Sequence, residues 1–89
     1  TSLASYIPDG TQVLGINIGE VGICTVDFSE DIQKAELNST EERYVIESIV
    51  ETLSQFDSVS AVQIRVNGEV VQSLTGHWDI SHPISSEDL

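Results

Sequence analysis

The chain has 89 residues, enough for a single domain with one modest hydrophobic core. Fifteen Asp and Glu face three Lys and Arg, a formal net charge of -12, and nucleic acid is excluded as a partner because phosphate binding needs clustered cations where only Lys34, Arg43 and Arg65 stand apart. No apolar run approaches the roughly 18 residues that cross a bilayer, so direct membrane insertion of this segment is excluded, and the single cysteine excludes an internal disulfide.

Residues 1–10 form a lead-in that closes on Ile7-Pro8-Asp9-Gly10, a turn sequence in which Pro presets φ and Gly supplies freedom. Residues 11–28 predict a first hairpin. Leu14, Ile16 and Ile18 alternate with Val13, Gly15 and Asn17, which predicts a strand with one buried face. Gly19 to Gly22 supply the turn, and Cys24, Val26 and Phe28 face inward on the returning strand. A cysteine in that register is a small buried hydrophobe, with no neighbouring cation to make it a nucleophile.

Residues 29–38 predict a short helical connector, opening at Ser29-Glu30-Asp31 with Ile32 and Ala35 turned inward. Asn38 interrupts it. Ser39-Thr40-Glu41-Glu42 reads as a capping box in which Ser39 caps the next helix and Glu42 reaches back. Asn38-Ser39-Thr40 also matches a glycosylation acceptor, but its serine is better explained as that cap. The main helix is predicted over residues 40–56. Its apolar stripe is Val45, Ile46, Ile49, Val50, Leu53 and Phe56, with Glu47, Ser48, Glu51, Thr52 and Gln55 on the outer face.

Residues 61–74 predict a second hairpin. Val62, Ile64 and Val66 alternate with polar neighbours, Asn67-Gly68 is the strongest short-range signal for a two-residue turn, and a second strand follows from Glu69 to Leu74. Residues 76–89 form a C-terminal tail that becomes polar and acidic after Ile84. The order hairpin–helix–hairpin predicts one α+β domain over residues 1–89. Its antiparallel or mixed sheet of about four strands packs on one long helix.

His77, Asp79 and His82 are the one cluster resembling a catalytic or metal site. Zn²⁺ needs three or four converging ligands. His77 and Asp79 share one side of an extended chain, but His82 lies past a turn, and no further histidine follows. The rival reading is a small metal-assisted hydrolase built on these three residues. The plainer one packs Trp78 or Ile80 at the sheet margin and leaves the histidines partly solvated. There is no Gly-x-Ser-x-Gly elbow, no phosphate-cradling glycine loop followed by lysine, and no spaced oxygen ligands of an EF-hand. No catalytic residue, cofactor or metal is therefore assigned. The acidity leaves a third reading, a binding domain for basic peptides or cell-wall polymer.

Three blocks carry a family resemblance. The first is Ile7 to Leu14, with Pro8, Gly10 and Thr11, followed by Gly22 to Ser29, which ends in Val26-Asp27-Phe28-Ser29. The second is Ile46 to Phe56, containing Ile49-Val50-Glu51-Thr52-Leu53. The third is Val59 to Gly68, with Val62-Gln63-Ile64, followed by Gly76-His77-Trp78-Asp79 and Pro83. In this order and spacing the chain resembles the GerM domain, the sporulation and spore-germination module of Gram-positive and related bacteria. The resemblance covers most of residues 7 to 84, the C-terminal two-thirds or more of the family domain. The strand and helix that precede the Pro-Gly-Thr lead-in in that family find no counterpart here, and their loss predicts an apolar patch or open strand edge.

What the resemblance implies is an extracytoplasmic module of the cell envelope, often in lipoproteins, with a fold similar to the ring-building motifs that stack edge to edge. The chain is then a domain excised from a longer protein, with any targeting signal outside it. The family offers no catalytic residues to carry over. Asp27, Phe28 and Ser29 would close a strand and start a helix, and Asn67 and Gly68 would make a turn. Gly76, His77 and Asp79 would position the chain exit, with His77, Trp78 and Asp79 as candidate contact residues. The expected function is a non-catalytic assembly or binding module, whose partners are other proteins, further copies of itself, or cell-wall polymer.

Overall fold

Two of the segments with alternating apolar residues lie side by side at the centre of one sheet. In the computed structural model, which describes residues 10–19 and 21–89, β2 (Ile23–Phe28) runs parallel to β3 (Ala61–Val66). Cys24 stands opposite Val62, Val26 opposite Ile64, and Phe28 opposite Val66. All six are buried on one face. A parallel pair cannot be closed by a tight turn, so the link between them carries both helices, α1 (Asp31–Lys34) and α2 (Ser39–Leu53). β1 (Val13–Ile18) pairs antiparallel with β2, and β4 (Glu69–Val70) pairs antiparallel with β3. The result is a four-stranded mixed sheet in the order β1-β2-β3-β4, and the α+β expectation holds.

Ile32 of α1 and Val45, Ile46, Ile49, Val50 and Leu53 of α2 join the six strand residues in one cluster. Each fully buried aliphatic side chain contributes about 1.5–3 kcal/mol. Val59, just before β3, and Leu74, Ile80 and Ile84, after Val70, complete the core. Ile84 exchanges both backbone hydrogen bonds with Val62, at 2.8 Å each. The outer edge of β3 is thus covered by β4 at one end and by Ile84 at the other.

Two glycines are dictated by geometry. Asn67 and Gly68 have φ of 50° and 80°, the pair of positive values that a type I′ turn requires. Gly22, with φ of +83°, lies against the start of β3: a Cβ there would sit 2.8 Å from Ser60 Oγ and 3.2 Å from the Ser58 carbonyl. Its own carbonyl accepts from Ser60 N at 2.7 Å.

Five expectations need correction. The cap of α2 is Asn38, whose Oδ1 accepts from Glu41 N at 2.8 Å while Glu41 Oε1 accepts from Asn38 N at 3.1 Å. The capping box therefore sits one residue before the predicted pair, Ser39 and Glu42, because Glu42 is drawn inside the protein. The helix stops at Leu53, not at residue 56, and Phe56 is 58% exposed. A turn from Phe56 to Val59 redirects the chain into β3, and Val59 takes the core position in place of Phe56. Ser48, expected on the outer face, is buried. The second hairpin is also shorter than 61–74: its returning strand is only Glu69–Val70, since Ile84 occupies the rest of the β3 edge.

The fifth correction concerns β1. Leu14, Ile16 and Ile18 are 52%, 55% and 44% exposed. The cluster that α2 forms with β2 and β3 does not reach out to β1, and a register shift between Val13 and Gly15 breaks the simple alternation. The Ile7-Pro8-Asp9 part of the lead-in and Glu20 of the first turn lie outside the described residues.

Candidate functional site

On an amphipathic helix, positions 42, 45, 46, 49, 50 and 53 lie on one side. Glu42 is therefore a carboxylate on the apolar stripe, and its exposure is 0%. A buried charge is tolerated only when its lone pairs are filled. Here Oε1 accepts from Thr75 N at 2.7 Å and from the Thr75 hydroxyl. Oε2 accepts from Trp78 N at 2.7 Å and His77 N at 3.2 Å. The ring Nδ1 of His77 lies 3.4 Å from Oε1. Burial pushes the carboxyl up, but these donors together outweigh it and hold Glu42 below the usual carboxylate range. With both oxygens occupied, Glu42 has no lone pair free for proton transfer. It is a clamp on residues 75–78.

The clamp fixes Trp78 against α2. The indole Nε1 donates to the Ser39 carbonyl at 2.8 Å, and the Arg43 guanidinium stacks 5.7 Å from the ring centroid. Arg43 is also paired with Glu47 at 2.8 Å. Between this part of α2 and the tail lies a groove of about 220 Å³, lined by Arg43, Ile46, Trp78, Asp79, His82, Ile84, Asp88 and Leu89.

The three residues of the hydrolase reading are not brought together. His77 faces Glu42, whereas His82 Nε2 is 3.9 Å from Asp79 Oδ2. Asp79 spends its other oxygen on a local turn, accepting from Ser81 N at 2.9 Å and Ser81 Oγ at 2.6 Å. The Ser81 hydroxyl and backbone N–H lower the Asp79 carboxyl most, with the nearby His82 adding to them. Among the described residues no three His, Cys, Asp or Glu are placed to hold a metal ion. Cys24 is buried and its thiol is pushed up by that burial.

The remaining singled-out residues tie elements together. Asp27 Oδ1 accepts from Gly68 N at 2.7 Å, joining the first hairpin to the turn of the second. Phe28 lies in the core. Ser29 Oγ accepts from Gln12 N at 2.9 Å and donates to Asp31 Oδ2 at 3.1 Å, where β2 passes into α1. Ser39 anchors Trp78 through its carbonyl, and Gly76 takes φ of +100° in the clamped loop. The sequence reading placed Glu42 in a capping box and Gln63 in a family motif, and missed the contacts that Glu42, Thr75 and Gln63 make; the Nε2 of Gln63 donates to the Ile80 carbonyl at 3.0 Å. For Glu42 a signal existed: it is the one charged residue in register with the apolar stripe.

Residues 1–72 match the Germane family, described as sporulation and spore germination. The chain belongs to that family. This Germane domain is 29% identical over 85 residues to the spore germination protein GerM of Bacillus subtilis (strain 168), matching over 94% of this chain and 22% of GerM. Among solved structures it resembles a Clostridium perfringens protein provisionally described as a lipoprotein, with a TM-score of 0.86, 30% identity, and coverage of 93% of this chain and 54% of that one. The tandem GerMN domains of Bacillus subtilis GerM align with a TM-score of 0.81 at 27% identity, over 93% of this chain and 29% of that one. The Germane domain thus spans a minor part of GerM and about half of the Clostridium protein. Its mixed sheet and long helix agree with these neighbours. No helix among the described residues is long and apolar enough to cross a membrane.

Proposed function

We propose that this Germane domain is a non-catalytic assembly module of an extracytoplasmic envelope protein, acting in sporulation or germination and joining further copies or partner proteins through β1. The family supports the process, and the Bacillus and Clostridium relatives support the envelope setting. The observation that carries the assembly reading is β1 itself. It is the outer strand of the sheet, it has no partner beyond β2 among the described residues, and Val13, Leu14, Ile16 and Ile18 are all 44–55% exposed. An exposed apolar edge offers both main-chain groups and oily surface to another strand.

Covering the half-exposed remainder of these four side chains returns about 1 kcal/mol each, roughly 4 kcal/mol in all. Association costs at least about that much in lost freedom. The contact is therefore weak in isolation and gains strength where several domains are held together. Light scattering over a concentration series tests this. The mass rises with concentration for the wild type, and I16K/I18K stays monomeric at unchanged thermal stability. A strict monomer at the highest concentration, or a variant that associates like the wild type, overturns the reading.

A further inference from the structure

The groove between α2 and the tail has a composition that the edge-strand reading does not use. Its floor is apolar: Ile46, Ile84 and Leu89, with the Trp78 ring as one wall. At about 220 Å³ it holds roughly seven water volumes, room for one extended aliphatic side chain. Two carboxylates, Asp79 and Asp88, line the same space. Each is fixed by a local turn through one oxygen: Asp79 Oδ1 is held by Ser81, and Asp88 Oδ2 accepts from Ser85 N at 3.0 Å and Ser85 Oγ at 3.2 Å. The second oxygen of Asp88 makes no hydrogen bond among the described residues, and that of Asp79 meets only His82, 3.9 Å away.

The one permanent cation of the lining, Arg43, is already neutralised by Glu47 and stacked on Trp78. An apolar slot with two anchored carboxylates and an occupied guanidinium is complementary to an aliphatic chain that ends in a cation. The field of a chain with net charge -12 adds long-range attraction of the same sign.

We propose that this groove is a docking site for a lysine side chain presented by a basic protein partner, the methylenes lying on Ile46, Ile84 and Trp78 and the ammonium meeting Asp79 and Asp88. The proposal deepens the assembly reading by giving the chemistry of a partner. It is tested apart from it, because Ile84 lies on the β3 side of the sheet, two strands from β1.

Trp78 is the only tryptophan, so its fluorescence reports the groove directly. The probes are a capped Ala-Lys-Ala peptide, the same peptide with norleucine in place of lysine, and chitotriose. The lysine peptide shifts Trp78 emission saturably, with Kd of about 1 mM or tighter, the range of a single small anchor. The norleucine peptide binds at least tenfold more weakly. D79N/D88N, which keeps the oxygens that hold Ser81 and Ser85, loses at least fivefold in affinity with no change in melting temperature. E51Q/D57N removes two exposed carboxylates away from the groove and binds as the wild type does. Equal binding of norleucine, equal weakening by the distant pair, or binding of chitotriose without the lysine peptide overturns the proposal, as does the absence of any saturable change.

Discussion

Replacing Glu42 by glutamine tests whether the buried carboxylate holds the tail in place. E42Q keeps the shape and one acceptor oxygen, but turns the other into an NH₂ that faces N–H donors. In the native protein Thr75 N, His77 N and Trp78 N all donate to this carboxylate, as does the Thr75 hydroxyl. The amide oxygen can serve only one side of that set. One or two buried donors are then left unsatisfied, at about 1–3 kcal/mol each. Allowing for adjustment of the half-exposed loop, the expected loss is about 2–4 kcal/mol. A domain of this size holds about 4–13 kcal/mol in total. Since 1 kcal/mol moves the midpoint of such a domain by about 4–8 °C, scanning calorimetry should show a fall of about 10–25 °C, and urea unfolding a lower midpoint at unchanged slope. A loss below about 1 kcal/mol would mean that the clamp donors find water equally well, and the argument from burial would be wrong.

The pH dependence of the same pair gives an independent sign. The folded carboxyl of Glu42 lies below its ordinary value, so its contribution is complete above the unfolded carboxylate pKa of about 4.3 and is lost as pH falls through the lower folded value. Titrating the other acidic residues relieves repulsion in both proteins, so the informative quantity is the wild-type-minus-E42Q difference. It should be flat at neutral pH and shrink in the acid range.

Three other outcomes follow from the packing. G22A, strained at positive φ and pressed against Ser60 Oγ and the Ser58 carbonyl, should cost about 2 kcal/mol in urea unfolding. A neutral effect would mean that the first turn moves freely past β3. I49A, fully buried, should cost about 2–5 kcal/mol. F56S should change stability by less than about 0.5 kcal/mol, since Phe56 lies outside the core. Equal costs for these two would restore Phe56 to the stripe.

Much of the architecture is legible because it depends on local patterns. Val62, Ile64 and Val66 alternate, and Asn67-Gly68 is nearly unique in its turn geometry, so β3 and its turn could be read directly. Val45 to Leu53 repeat at helical spacing, and α2 follows. What periodicity cannot say is how wide a face the helix covers. Leu14, Ile16 and Ile18 alternate as well as Cys24, Val26 and Phe28 do, yet only the second set is buried, because one helix covers two strands and leaves the third outside. The helix ends are similarly non-local. Asn38 and Ser39 are both competent caps, and which one acts depends on where Glu42 goes. That in turn depends on Thr75 to Trp78, more than 30 residues away.

The candidate site was only half legible for the same reason. His77, Trp78 and Asp79 drew notice by residue type, but their arrangement is set from α2. A single stretch of that helix supplies the Ser39 carbonyl that holds the indole, the Glu42 carboxylate that holds the loop, the Arg43 guanidinium that stacks on the ring, and the Ile46 side chain that floors the groove. A buried charge is an expensive way to secure a loop when apolar packing would serve. What it adds is direction: three backbone N–H groups of the 75–78 loop are aimed at one fixed point, so Trp78 has one position and the groove has one shape. An apolar residue at position 42 could bury as much surface, but would leave the loop free to slide. The carboxylate is thus better understood as the element that makes the tail, and the surface it presents, specific.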